Sequence, residues 1–498
     1  MAETETQDQA YVDNGVKVVQ TDVGNKDGQV KCPKCGSTDI STNAATGQLR
    51  CNFCRFEFEP QKLEMETDIS KLSGTTIGSG AQDIVADTKD QITLKCSSCG
   101  AEVVIDTASA NQARCHWCRN TLSLNQQIPN GAIPDMVLAF KVKKDEAKKA
   151  IESFVGKRKF YAHPKFRQEF TTNNIMGVYF PYMVVDLNTH SHLTGLGEHQ
   201  TRSYSEGSGE HRVTYYDADL YQVGRDFDLT IHGLSIESNK DRLDTTNKTK
   251  TNNIINSIMP FDVENSVKYD SNYLKGFTSE RRDSNITELT PIITERAKDI
   301  ARFSANASLK NYDRGVSWQS EQLDIKGQQW KAAYLPVWLY SYQEDKGDRK
   351  LLHYVAVNAR TKESMGSVPI YLPKLFLFAF LVELLGIFGF IKLDFDYDFL
   401  LLLVGPLYFF YIYTKYRNQN ARDQYETETK TNITNLKTMD HFVEHRKRLR
   451  NSMIENQNNT SVRGASMNLK KKTGIGLDLD LKNFAADQLS SITDQFLK

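Results

Sequence analysis

The chain has 498 residues, in which 62 Lys and Arg balance 62 Asp and Glu, so its formal net charge is zero. That length suffices for about three domains. The charge is uneven, because residues 1–130 hold 12 Lys and Arg against 17 Asp and Glu, the wrong sign for a surface that binds nucleic-acid phosphates. The sequence also lacks Walker, nucleophile-elbow, dinucleotide-binding and paired-carboxylate motifs, so we expect no enzymatic activity.

The cysteines form two quartets with one spacing. In each quartet fifteen residues separate a C-x2-C pair from a second C-x2-C pair. Such a turn brings two thiolates to one ion, and a short hairpin adds the second pair to complete a tetrahedral site. Flanking residues repeat as well, with Phe53 matching Trp117 and Arg55 matching Arg119, so one module has been duplicated. The predicted ligands, which are all the cysteines of the chain, are Cys32, Cys35, Cys51, Cys54, Cys96, Cys99, Cys115 and Cys118.

Zinc is the metal that this pattern favours, with one structural ion in a ribbon over residues 31–58 and a second in a ribbon over residues 92–125. Four disulfides in a secreted protein are one alternative, but paired C-x-x-C turns are metal geometry and no signal peptide precedes them. An Fe–S cluster is the other alternative, which the regular duplicated spacing disfavours. Four protein ligands leave no open coordination position, so we expect no metal-assisted catalysis.

An aromatic residue stands at the tip of the second C-x2-C pair in each ribbon. We expect Phe53 and Trp117 to pack on their own hairpins. His116 lies between two cysteines and could replace a thiolate, but a surface side chain is our expectation there. Aromatic and Arg residues at such a tip could also stack on nucleic-acid bases. The acidic balance of this part of the chain fits protein-binding ribbons better.

The segments around the ribbons carry weaker signals. Residues 1–30 are predicted to be a flexible N-terminus, and residues 59–91 a polar linker between the ribbons. Within that linker, Gly78-Ser79-Gly80 suggests a phosphate-binding loop. No Gly-Lys-Ser/Thr follows it and no strand is predicted before it, so we reject that function.

Residues 132–370 are predicted to form a β-rich domain with interspersed helices. An amphipathic helix is expected over residues 145–155, and another over residues 286–309, entered at Pro291. Short alternating runs rich in Tyr, Thr, Val and Phe predict strands up to about residue 280, and strands return at Trp330.

A weaker internal repeat lies in this domain. Residues 177–186 and 333–342 share Tyr-x-Pro followed by an apolar run, which predicts two copies of one β unit with the proline at a strand start or edge. After the first copy, His190 and His192 would share one face of a strand, a spacing compatible with a metal ion. Surface histidines remain the simpler interpretation.

Two apolar runs, residues 375–391 and 399–413, contain a single charged side chain, Glu383, and predict a transmembrane helical hairpin within residues 372–414. A buried hairpin in a soluble core is the alternative. Lys and Arg flank the outer ends and the connector 392–398 is short and acidic, so the positive-inside rule predicts a cell-membrane protein with both termini cytoplasmic. For Glu383 a proton path is conceivable, but we expect a structural role, protonated or bonded to a helix.

The tail, residues 415–498, is predicted to be basic and helical. Residues 414–472 hold 13 Lys and Arg against six Asp and Glu, a charge that would attract anionic lipid headgroups or nucleic acid. His441, Glu444 and His445 match an inverted zinc-protease pattern, but only a short basic tail follows, so we expect a solvated helix there. The apolar stripe of that helix would comprise Ile433, Leu436, Met439, Val443 and Leu449.

The order of these parts resembles a family of bacterial membrane proteins described as TFIIB-type zinc-ribbon-containing proteins, sometimes labelled primosomal or helicase-like. The resemblance extends to about residue 415 and implies a zinc-binding, membrane-anchored, cytoplasmic-facing protein without established catalysis. Members often neighbour SPFH (flotillin-like) and phage-shock-A-like proteins, which suggests a scaffold or stress role at the membrane. A helicase activity is rejected because no Walker A loop is present. The resemblance rests on Gly78-Ser-Gly-Ala-Gln-Asp83, the second cysteine quartet, Gly177-Val-Tyr-Phe-Pro-Tyr182, Tyr334-Leu-Pro-Val-Trp338 and Tyr354-Val-Ala-Val-Asn358.

Two functions are therefore expected from the sequence. The first is a membrane-anchored scaffold or adaptor whose zinc ribbons recruit cytosolic or membrane protein partners to the lipid bilayer. The second is a membrane-tethered protein whose ribbon tips or basic tail bind nucleic acid. The expected fold is a multidomain α+β chain of two β zinc ribbons, a duplicated β-rich domain, a transmembrane hairpin and a basic helical tail.

Overall fold

The structure is a computed structural model that shows a mixed α/β fold, rich in long strands and with few helices. The α+β class is confirmed at that level. The structure describes residues 10–13, 15–19, 21, 31–37, 39–42, 48–63, 68–82, 91–96, 100–106, 113–117, 119, 121–122, 127–128, 134–207, 213–239, 258–274, 277–280, 282–346, 349–392, 403–417 and 429–449.

The strands and helices are numbered in chain order. The strands are β1 (Ala10–Asp13), β2 (Val16–Val19), β3 (Ile40–Thr42), β4 (Leu49–Cys51), β5 (Glu57–Phe58), β6 (Gly74–Gly78), β7 (Gln91–Lys95), β8 (Glu102–Asp106), β9 (Ala113–Arg114), β10 (Thr121–Leu122), β11 (Gln127–Ile128), β12 (Met136–Val137), β13 (Met176–Glu206), β14 (Val213–Glu237), β15 (Val267–Lys268), β16 (Thr278–Glu280), β17 (Val316–Lys346), β18 (Arg349–Asn358), β19 (Ser364–Gly366) and β20 (Lys430–Leu449). The helices are α1 (Lys144–Gly156), α2 (Pro164–Glu169), α3 (Ile286–Ala305), α4 (Leu372–Lys392) and α5 (Val404–Arg417).

One large sheet has the strand order β1-β2-β6-β17-β13-β16-β8-β7-β11, with further strands pairing off this path. The two ribbons differ in how they relate to it. Strands β7 and β8 of the second ribbon join the large sheet, because β8 pairs antiparallel with β16. Strands β3, β4 and β5 of the first ribbon form a separate three-stranded sheet.

The chain divides into two compact units. Among the described residues, the second unit holds parts of β13, β14 and β17, the last residues of α3 and most of β20. The first unit holds the cysteine quartets and helices α1, α2, α4 and α5. The first comprises residues 1–190, 228–303 and 323–433, and the second residues 191–227, 304–322 and 434–498.

The two helices predicted within the β-rich domain are confirmed. Helix α1 carries two acidic residues in its first turn and buries Ala147, Ile151 and Phe154 on one face, as the amphipathic pattern requires. Helix α3 begins at Ile286, the first residue of the predicted range, and ends at Ala305, four residues before the predicted end. The backbone N–H of Asn285 donates to the Glu288 side chain at 3.0 Å, which marks the start of α3 and leaves Pro291 inside it.

The Tyr-x-Pro repeat falls on two neighbouring strands of equal length, β13 and β17, each of 31 residues. Its two tyrosines, Tyr179 and Tyr334, are buried with ring centroids 6.1 Å apart. The prediction that each proline stands at a strand start or edge is wrong, because Pro181 lies inside β13 and Pro336 inside β17. Strand β17 pairs with β6 and β12 before Pro336 and with β18 after it. The missing N–H of Pro336 therefore lies between two stretches of strand pairing.

The predictions of a flexible N-terminus and of a polar linker are wrong for the residues described. Strands β1 and β2 pair with each other, and β2 and β17 both pair parallel with β6. The Gly-Ser-Gly segment holds a buried carboxylate: the N–H of Gly80 donates to Asp135 at 2.7 Å. A side chain at Gly78 would collide with that carboxylate, because a Cβ there would lie 2.2 Å from its Oδ1. Burial raises the pKa of the Asp135 carboxyl.

The predicted tail helix is wrong over residues 430–449, which form strand β20 paired with β14. Within the second unit, Asp440 forms an ion pair with the buried Arg225, and Arg446 contacts the buried Glu198 at 3.2 Å. These tertiary partners decide the strand, since the spacing of the apolar residues alone fits a helix. The rest of the tail lies outside the described residues, apart from the end of α5.

Helices α4 and α5 form a helical hairpin at the position predicted for the membrane spans. The Phe376 and Phe409 rings stack at 4.7 Å between them, and the N–H of Gly405 donates to Glu383 at 2.7 Å. Glu383 therefore caps the start of α5, which confirms a helix-bonded role. Residues 393–402, which include the start of the second span and all of the predicted connector except Lys392, lie outside the described residues. Across the part of the chain that is described, no helix is both long enough and apolar enough to cross a membrane.

Candidate metal centre

The sulfurs of the first cysteine quartet converge on one point. All four Sγ atoms of Cys32, Cys35, Cys51 and Cys54 lie within 4.8 Å of one another. The Cys32–Cys54 and Cys35–Cys51 Sγ pairs are each 3.6 Å apart. A tetrahedral zinc site with Zn–S bonds of about 2.3 Å requires sulfurs about 3.8 Å apart. The cluster therefore has room for one ion, and its sulfurs are too far apart for disulfides, whose S–S bond is about 2.05 Å.

The backbone explains why these sulfurs converge. In the first turn the N–H of Gly36 donates to the Cys32 carbonyl at 2.8 Å, and in the second the N–H of Arg55 donates to the Cys51 carbonyl at 2.9 Å. Each turn closes on a left-handed residue, with φ of +73° at Gly36 and +59° at Arg55. The turns fold the chain back on itself, and β3 pairs with β4 to join them.

The surroundings of the sulfurs shift the pKa values of these thiols in different directions. The N–H groups of Cys54 and Phe53 lower the pKa of the Cys51 thiol to about 6. The pKa of Cys35 is raised to about 12, because the neighbouring thiols and burial outweigh the N–H of Ser37, which lowers it. A divalent cation would hold all four groups as thiolates, since a coordinating thiol loses its proton outright. The donor set fits one Zn²⁺.

The second quartet is described only in part. Cys96 and Cys115 are buried, whereas Cys99 and Cys118 lie outside the described residues. The backbone repeats the first site, because Gly100 N–H donates to the Cys96 carbonyl at 2.9 Å and Arg119 N–H to the Cys115 carbonyl at 2.8 Å. A second metal site therefore stays a prediction, supported by turns of the same geometry.

The tip of the second ribbon is buried, which corrects the expectation of a surface His116. Its Nε2 lies 2.8 Å from Glu280 Oε1, and the Trp117 indole N–H donates to the same oxygen. Both rings pack on Phe180, and Trp117 also meets Tyr354 edge-on at 5.4 Å. Trp117 is only 7% exposed, and its packing on the β-rich core differs from the predicted packing on its own hairpin.

The tip of the first ribbon is open. Phe53, the counterpart of Trp117, is 81% exposed, so the prediction that it packs on its hairpin is wrong. Below the tip, Phe56 stacks on Phe58 at 6.3 Å and carries Lys34 above its ring at 5.9 Å. Elsewhere in the ribbon, Ile40 and Leu49 are buried in the core of the first unit, and this packing fixes the ribbon.

The other candidate ligands do not form a comparable cluster. His190 Nδ1 lies 2.9 Å from Asp228 Oδ1, and His192 Nδ1 lies 3.4 Å from Asp226 Oδ2. In the tail, His445 pairs with Asp219. Among the residues that the structure describes, the first quartet is the only group of three or more His, Cys, Asp and Glu side chains close enough to share an ion.

Glu280 is the site residue that sequence reasoning missed. It lies 164 positions from His116, and no motif surrounds it in the sequence. Only the pairing of β16 with β8 brings it beneath the second ribbon. Comparison with protein-family models, with curated proteins and with solved structures finds no match for the chain.

Proposed function

We propose that this protein is a membrane-anchored scaffold that recruits protein partners through the tip of its first zinc ribbon. The observation that carries the proposal is the contrast between duplicated positions: Trp117 is buried at 7% exposure, whereas Phe53 is 81% exposed. An exposed aromatic residue on a metal-fixed turn is a typical binding anchor, because its apolar area is large and it loses little entropy on binding.

The helical hairpin supports the membrane anchor. Its exposed side chains are predominantly large and apolar, a surface that water does not favour. In the sequence, an apolar run at residues 399–403 joins the short acidic connector to the described start of α5. The proposal places both outer ends of the hairpin on the cytoplasmic side of the cell membrane. The exposed apolar residues of the hairpin are Phe376, Leu377, Phe380, Leu381, Leu384, Leu385, Ile387, Phe388, Leu403, Leu407 and Tyr411.

The proposal includes the resemblance to the TFIIB-type zinc-ribbon membrane proteins and the absence of catalysis. Lipids and proteins of the SPFH or phage-shock-A-like type are the partners that the resemblance suggests. The ions of both ribbons, two Zn²⁺ per chain, are structural in this scheme, since four thiolates leave no position for a substrate.

A second function is favoured by the charges around the open tip. Arg50 and Arg55 flank Phe53 in the sequence and are exposed, and Lys31 and Lys34 belong to the same ribbon. Cations beside an exposed ring also fit single-stranded nucleic acid, whose bases stack on aromatic side chains. The first ribbon, residues 31–58, thus holds four Lys and Arg against two Asp and Glu, although residues 1–130 as a whole are acidic.

Crosslinking at the open tip separates the two functions. A photo-crosslinkable residue at Ser41, on β3 of the same ribbon, would capture the partner from intact membranes. We expect a protein adduct in the wild-type background and in Val12→Ser, which removes another exposed apolar side chain, and its loss in Phe53→Ser. Adducts that are nucleic acid would establish the second function. Adducts unchanged by Phe53→Ser would show that the tip is not the recruiting surface.

A further inference from the structure

A short cationic segment follows helix α1. Residues 157–168 contain five Lys and Arg and no Asp or Glu. Lys157, Lys159 and Lys165 are exposed, and none of them pairs with a carboxylate among the described residues. Cations that lie together without acidic partners repel one another. Contacts within the chain therefore do not explain why these lysines are grouped.

This segment is fixed to the base of the helical hairpin, where α4 begins and α5 ends. The Lys374 ammonium of α4 donates to the Phe160 carbonyl at 2.8 Å. From the segment, the Tyr161 N–H donates to the Tyr416 hydroxyl at 3.0 Å, and Arg158 Nε donates to the Lys415 carbonyl at 3.4 Å. The cations therefore lie at the level of both outer ends of the hairpin.

Phe160 extends the apolar surface of the hairpin onto this segment. Its side chain is 51% exposed, although it lies among polar neighbours in the sequence. Its ring meets Phe378 of α4 edge-on at 5.2 Å and carries the Lys374 ammonium at 3.7 Å from its centroid. Aromatic rings and lysines at one level are typical of the boundary between the hydrocarbon and headgroup layers.

The basic collar is defined as Lys157, Arg158, Lys159, Phe160, Lys374 and Lys415. We propose that the basic collar binds the phosphate headgroups of anionic lipids around the base of the hairpin. The inference rests on the proposed membrane anchor and names the lipid class that the anchor selects. Phe160 enters the interface, while the two exposed lysines beside it contact headgroups.

Spin-labelled lipids test the preference directly. The full chain is reconstituted in phosphatidylcholine vesicles, and electron paramagnetic resonance compares how much spin-labelled phosphatidylglycerol and phosphatidylcholine the protein immobilises. We expect wild type to prefer phosphatidylglycerol and the double variant Lys157→Gln/Lys159→Gln to lose that preference, by roughly fivefold for each cation removed. The control Lys148→Gln/Lys149→Gln removes the same charge from α1. Lys149 stands eight residues, about 12 Å along a helix, from Lys157, which exceeds the screening length of about 8–10 Å.

The outcomes separate the inference from the function on which it rests. The inference is overturned if the immobilised lipid shows no preference for phosphatidylglycerol, or if the collar variant keeps that preference. Either result is still compatible with the membrane anchor. Vesicles without any immobilised lipid overturn both. If inorganic phosphate abolishes the preference for phosphatidylglycerol and sodium chloride at equal ionic strength does not, the basic collar binds free phosphate. That result would also overturn the inference.

Discussion

Nε2 of His116 lies 2.8 Å from Oε1 of Glu280, across 164 positions of sequence, and both side chains are buried. This contact joins the tip of the second ribbon to strand β16 of the large sheet. The Glu280 carboxylate is the shared partner of His116 and of the Trp117 indole. Its loss would leave both of these buried groups without an acceptor. The second ribbon is thereby part of the β-rich core, whereas the tip of the first ribbon is open.

Replacement of Glu280 by Ala should loosen the second ribbon. His116 and the Trp117 indole would lose their acceptor, at a cost of about 2–4 kcal/mol. Hydrogen exchange of residues 91–106 should accelerate accordingly. The control Glu57→Ala removes an exposed pair with Arg50 in the first ribbon and should change exchange there little. Unchanged exchange in Glu280→Ala would contradict the anchoring role.

Zinc content should follow the two quartets. We expect two zinc ions per wild-type chain and one ion in either Cys32→Ser/Cys35→Ser or Cys96→Ser/Cys99→Ser, because each ion needs four thiolates. Metal analysis by mass spectrometry of the purified chain measures this. Ser41→Ala, on β3 of the first ribbon, should keep both ions. A wild-type chain with one ion that survives Cys32→Ser/Cys35→Ser would contradict the four-cysteine site, and three ions would revive a metal role for His441, Glu444 and His445.

Stability should fall in acid as Asp186 is protonated. Burial raises the pKa of this carboxyl, but His232 at 2.7 Å and Lys331 at 2.6 Å outweigh that effect and lower it to about 2. A lowered folded-state pKa gives a stabilisation that is complete above the unfolded value of about 3.9 and is lost as the pH falls toward 2. The shift corresponds to about 2–3 kcal/mol.

Urea unfolding in detergent, followed by the fluorescence of the chain's four tryptophans, measures this loss between pH 5 and pH 2, a window set by the two pKa values. Asp186→Asn should remove the Asp186 part of the pH dependence. The matched control Asp228→Asn, at a quarter-exposed carboxylate, should change the slope less. Equal slopes for wild type and Asp186→Asn would contradict the assignment.

The close approach of α4 and α5 should depend on Gly405. A Cβ at this position would lie 2.7 Å from the Ala379 carbonyl oxygen and from Glu383. Gly405→Ala should therefore force the helices apart and destabilise the hairpin by about 1–3 kcal/mol in thermal unfolding followed by circular dichroism. Gly156→Ala, whose added carbon would meet nothing within 4 Å, should be neutral. A melting temperature unchanged by Gly405→Ala would mean that the hairpin repacks freely.

Much of the candidate site could be predicted because its rules are local. The C-x2-C turns need only a few consecutive residues and a left-handed position such as Gly36 or Gly100, so their duplication is legible in the sequence. Helix α1 follows in the same way from its periodicity and its acidic first turn. The predictions of a polar linker around the Gly-Ser-Gly segment and of a helix over the residues of β20 were wrong. In both places, partners far away in the sequence decide the conformation.

By itself the sequence determined the two cysteine modules and the apolar hairpin helices, since both depend on composition and spacing within a short window. Only the tertiary structure decided that Trp117 is buried and Phe53 exposed. The two residues have equivalent positions in copies of one module, so local forces treat them alike. The difference comes from Glu280 and Phe180, which strand pairing brings beneath one copy. Burial depends on what the rest of the chain places nearby, and that is a property of the fold.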